Sequence, residues 1–115
     1  MIFIIDDNEE MARCIARACR VEVRIFSNAI EAMDEISNGI IPQLIFLDIL
    51  LDGPDGFTFL NELVSYDDTV KIPVVIVSSF DYYKYDLTEY GVVGVLNKDT
   101  MLPEEIRRYV ENYVK

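Results

Sequence analysis

Five short apolar runs rich in β-branched residues punctuate the chain, at 2–5, 21–26, 44–47, 74–77 and 92–96. The stretches between and after them carry helical spacing. Over 8–20, Met11, Ala12, Ile15, Ala16 and Cys19 share one face. Over 28–38, Ile30, Met33, Asp34 and Ile36 surround a helix that Asn38-Gly39 stops. Over 57–64, Phe57, Leu60, Leu63 and Val64 recur at helical intervals. Over 103–114, Ile106, Val110 and Val114 repeat every four residues, behind a first-turn Pro and two Glu that suit the positive end of a helix dipole. The stretch 81–90, rich in Tyr and Asp, carries the weakest helical pattern of the five.

The resulting order is βαβαβαβαβα. The runs IFIID, LIFLD and VVIVSS are apolar on both faces, so helices cover both sides of the sheet. The expected fold is α/β, a doubly wound (βα)5 sandwich with five parallel strands and right-handed crossovers. The 115 residues fit one domain, 1–115. An apolar share of 51% excludes a disordered chain, and no apolar run approaches the ~20 residues of a membrane span. The N-terminal run ends at Asp6 and has no basic residues before it, which is no secretory signal. A soluble cytoplasmic protein that binds no membrane is expected.

Charge and residue usage narrow the chemistry. Ten Lys and Arg against 21 Asp and Glu give a net charge of −11, and both halves of the chain are acidic. Direct nucleic-acid binding, which needs clustered cations, is excluded. Cys14 and Cys19 form neither a CxxC nor a zinc pattern and read as reduced thiols. The absence of histidine removes the commonest metal ligand and the usual general base.

Sites in open parallel α/β sheets form at the carboxyl ends of the strands. Here those ends are Asp6-Asp7, Asp48, Ser78-Ser79 and Asn97-Lys98. Each residue has a local alternative; Asp7, for one, can cap the first helix with Glu10 behind it. Together, three carboxylates at one rim repel each other, and a hard divalent cation such as Mg2+ offsets that repulsion.

The segments IIDDNEEM, LIFLDILLDGPDGF, IPVVIVSSFD and GVVGVLNKDT resemble, in order and spacing, the receiver domain of two-component response regulators. The resemblance spans essentially the whole chain. It implies the CheY-like strand order 2-1-3-4-5. It also implies Asp48 as the phosphoacceptor, Ser78 and Lys98 as groups reaching the phosphoryl oxygens, and Mg2+ on Asp6, Asp7, Asp48 and the backbone carbonyl of Leu50. Such a module takes its phosphoryl group from a histidine kinase or phosphotransfer protein and acts on a downstream protein target. It catalyses its own phosphorylation and dephosphorylation without being a classical enzyme.

Four positions depart from the usual receiver pattern or vary within it. Val95 stands where many receivers carry Tyr or Phe, and Asp99 where many carry Pro, so a trans Lys98–Asp99 bond is expected. Leu50 and Phe80 are the variable positions flanking the phosphoryl site. Both are apolar, which implies slow self-dephosphorylation. Tyr82, Tyr83, Tyr85, Tyr90 and Tyr109, with Val95, suggest a partner or homodimer face along the fourth helix, fifth strand and last helix. Val95 and Asp99 also keep open an alternative, a receiver-fold interaction module that works without phosphorylation. A Mg2+ phosphatase with an Asp nucleophile is the third class. It fits poorly, because the chain has no room for a cap and the best nucleophile follows the third strand.

Overall fold

The computed structural model describes residues 1–49, 56–79 and 88–114. Strands β1 (Ile2–Ile5), β2 (Val23–Phe26), β3 (Leu44–Asp48), β4 (Val74–Ser78) and β5 (Val92–Asn97) form one parallel sheet in the order β2-β1-β3-β4-β5. Helices α1 (Glu9–Cys19), α2 (Ala29–Ser37), α3 (Gly56–Val64) and α4 (Pro103–Tyr113) cover its two faces. The doubly wound fold and its strand order are as the sequence implies. The predicted helix at 81–90 lies outside the described residues except for Thr88–Tyr90, which form a 3-10 turn.

Strand alternation divides the core. Phe3, Ile5, Ile45, Leu47 and Ile76 point to the α2–α3 side, and Ile2, Ile4, Leu44, Phe46, Val75 and Val77 to the α1–α4 side. All residues of β1, β3 and β4 are buried, which explains their continuous apolar runs. The edge strands differ: Arg24 and Ile25 of β2 and Val93 of β5 are exposed.

Several helix details correct the sequence reading. Asn8, not Asp7, caps α1, its Oδ1 accepting from the Met11 amide at 3.0 Å. A carboxylate and an amide cap equally well, and the helix starts one residue later than Asp7 requires. Ile30 is 55% exposed and Phe57 is 37% exposed, whereas Ala29, Ala32 and Phe59 are buried. A rotation of each helix by one position puts the smaller or later residue inward. The Asn38-Gly39 stop holds: Gly39 takes φ +93°, and its amide donates to the Ile36 carbonyl at 2.9 Å. Cys14 is exposed, while Cys19 is buried and its thiol is pushed up to about 12 by that burial.

Candidate functional site

Three central strands deliver the site. β1 ends in front of Asp6, whose amide donates to the Phe26 carbonyl of β2 at 3.0 Å. β3 carries Asp48 as its last residue, paired in register with Val77 of β4. β4 ends in Ser78, whose carbonyl accepts from the Lys98 amide at 2.9 Å. That bond ties the residue after β5 to the end of β4. All described peptide bonds are trans, including Lys98–Asp99.

The side chains converge. Lys98 Nζ lies 3.0 Å from Asp6 Oδ2 and 3.1 Å from Asp48 Oδ2, donating a hydrogen bond to the latter. Asp6, Asp48 and Ser78 are all buried, at 2%, 5% and 1% exposure. Asp7 is exposed at the mouth. One carboxylate oxygen from each of Asp6, Asp7 and Asp48 lies within 4.8 Å of the others.

Among the described residues, one ammonium, that of Lys98, pairs with these carboxylates. Asp6 Oδ1 accepts from the Asn8 amide at 2.9 Å. Its Oδ2 is buried and pairs with the Lys98 ammonium at 3.0 Å. Burial pushes the Asp6 carboxyl above its ordinary value, with Asp48 adding to the rise and Asn8 and Lys98 opposing it. For Lys98, burial works downward, but its contacts with Asp6 and Asp48 outweigh it and hold the ammonium above the ordinary lysine value. One ammonium thus serves two buried carboxylates, with a third at the mouth. Three carboxylate oxygens within 4.8 Å of one another, two of them from buried residues, form an all-oxygen set that fits a hard divalent cation.

The sequence therefore located Asp6, Asp7, Asp48, Ser78 and Lys98 at one rim, and the structure brings all five strand-end positions there. Leu50, Phe80, Tyr82, Tyr83 and Tyr85 lie outside the described residues. Of the remaining partner-face residues, Tyr90 and Val95 are half-buried against the α2–α3 core, and Tyr109 against the α1–α4 core. Val95 belongs to β5, and Tyr90 and Tyr109 pack with the cores on opposite faces of the sheet. Two positioning residues were missed. Asn8 caps α1 and also fixes Asp6, a double role visible only as an Asn ahead of a helix. Gly56 closes onto β3: its amide donates to the Ile49 carbonyl at 3.1 Å, and a Cβ there would lie 2.7 Å from Ile49 Cα.

The chain matches the family model of the response regulator receiver domain over residues 2–111. It belongs to that family. Over 82 residues, 70% of its length, the receiver is 29% identical to the response regulator PleD of Caulobacter vibrioides, and it spans 18% of that protein. Its fold resembles that of the NtrX receiver domain from Brucella abortus, with TM-score 0.83, 24% identity and 99% and 98% of the two chains covered. The fold of the Vibrio cholerae chemotaxis protein CheY4 is also similar, with TM-score 0.80, 17% identity and 98% and 97% coverage. Among the described residues, no helix of this receiver is long and apolar enough to cross a membrane.

Proposed function

We propose that this receiver accepts a phosphoryl group on Asp48 from the phosphohistidine of a histidine kinase or phosphotransfer protein, with Mg2+ as cofactor. The observation that carries the proposal is the position of Lys98 Nζ, 3.0 and 3.1 Å from two buried carboxylates that cluster with Asp7.

Asp6, Asp7 and Asp48 would hold Mg2+, with the Leu50 carbonyl as a further ligand. When bound, the ion neutralises charge on the transferring oxygens. An Asp48 carboxylate oxygen attacks phosphorus, the donor's P–N bond breaks, and its electron pair stays on the imidazole nitrogen. Lys98, already hydrogen-bonded to Asp48, pairs with a phosphoryl oxygen as the product forms. Ser78 lies at the next strand end and offers a hydroxyl to the same group. The new charge on Asp48 redistributes the Lys98 and Ser78 contacts, and through β5 biases the surface that Tyr90, Val95 and Tyr109 flank toward a partner-binding form. A shift from 1:99 to 99:1 requires about 5.5 kcal/mol, which a few charge-assisted contacts supply. The receiver's variable positions, here the apolar Leu50 and Phe80, would leave the acyl phosphate slow to hydrolyse.

A second reading, an interaction module independent of phosphorylation, draws on Val95. It is a stiff, half-buried side chain packed into the core, ill suited to large rotation. Intact mass after incubation with a small phosphodonor separates the two. The phosphoacceptor reading expects a gain of one phosphoryl group with Mg2+, none without it, and none in Asp48→Asn. If neither small donors nor histidine kinases label the chain while Mg2+ still binds, the second reading stands.

A further inference from the structure

The α2–α3 face holds a groove that the phosphoacceptor chemistry does not use. Two adjoining cavities of about 280 and 340 Å3 run between these helices and share Met33 and Glu62. Their apolar walls include Ile30 and Tyr66, each 55% exposed. Large side chains left this open on a helix pair are a common mark of an interaction surface. The rim has one sign of charge. Asp34, Glu62 and Asp68 line the cavities, and among the described residues no Lys or Arg does. Among the described residues, none of these three acids forms an ion pair, whereas Glu9, Glu35 and Glu104 elsewhere do.

We propose that this groove docks a cationic amphipathic helix of a partner protein. Its apolar stripe would lie on Ile30, Met33 and Tyr66, and its Lys or Arg residues over Asp34, Glu62 and Asp68. Helix-in-groove recognition uses this combination of apolar anchors and flanking charge. Each wall is a nine-residue helix, so the occupant spans about two and a half turns. The rim charge argues for a basic partner rather than a second copy, since two chains of net charge −11 repel.

The test uses the 115-residue chain and a fluorescein-labelled synthetic Leu/Lys peptide with Leu at helical i, i+3, i+4, i+7 spacing. A scrambled peptide of the same composition is the control, and anisotropy is read at physiological salt. The amphipathic peptide is expected to bind about tenfold tighter than the scrambled one. Ile30→Ser and Asp34→Lys, both at exposed positions that leave the fold intact, should each weaken it by about tenfold. Glu111→Lys on the exposed side of α4 should change it by less than about twofold. Equal affinity for the two peptides, or an equal loss in Glu111→Lys, makes the binding bulk electrostatics and overturns the proposal. Absence of binding up to millimolar peptide also overturns it. So does a dimer of the chain that the peptide does not displace and that Ile30→Ser dissolves, because the groove would then belong to a second copy.

Discussion

The central strands β1 and β3 and the edge strand β5 meet at the same rim but are held by different physics. β1 and β3 are buried along their whole length and end in carboxylates that are themselves buried. Their side chains cannot leave without exposing core, so the acids are fixed and their repulsion is stored. β5 is half-exposed and bears Gly94, against which the Tyr109 phenol of α4 rests; a Cβ at Gly94 would fall 1.8 Å from Tyr109 Oη. The centre is governed by charge and the edge by shape. Lys98, tied by its backbone to β4 and by its ammonium to Asp6 and Asp48, links the two.

That contrast is open to attack, beginning with the largest effect. Asp48→Asn should abolish phosphoryl gain while leaving the fold intact, as read by mass and circular dichroism. Lys98→Ala should destabilise the Mg2+-free protein by about 3 kcal/mol, because it strands two buried carboxylates. Saturating Mg2+ should restore most of that loss in chemical denaturation. Asp6→Asn should act with the opposite sign on Mg2+-free stability, raising it by about 1 kcal/mol through the loss of one of two buried like charges. It should weaken Mg2+ binding at the same time. If Lys98→Ala and Asp6→Asn shift stability in the same direction, charge does not govern the centre.

The edge predicts a different pattern. Gly94→Ala should cost about 1–2 kcal/mol by expelling the Tyr109 ring, and should leave Mg2+ affinity unchanged. Tyr109→Ala in the Gly94→Ala background should cost less than it does alone. The effect that is silent at neutral pH concerns Cys19. Its thiol ionises near 12 in the folded chain against 9.0 ordinarily, so the folded state holds the proton more tightly. That contribution is present below pH 9.0 and is lost as pH rises toward about 12. The alkaline stability profile of Cys19→Ala should be flatter than that of the parent chain over this window.

The same contrast explains what the sequence revealed. Residues that end apolar strands, Asp6, Asp48, Ser78 and Lys98, were legible because strand order and the carboxyl-end rule place them without knowledge of any side-chain contact. The outward turn of Ile30 and Phe57 was not legible, since a helix face is set by what packs against it. The choice of Asn8 over Asp7 as cap was hidden because both residues suit the role. The seat of Tyr109 on Gly94 joins residues from two elements, and neither local pattern signals it.

The central claim is that the acids fixed at the strand ends form one phosphoacceptor centre with Asp48 as its nucleophile. Borohydride reduction of the chain after incubation with a phosphodonor and Mg2+, followed by peptide sequencing, tests it most directly. An acyl phosphate reduces to homoserine, and the account predicts homoserine at position 48 alone, in a yield that falls to background without Mg2+. A phosphoryl group on Ser78, or homoserine at position 6 or 7, would contradict it.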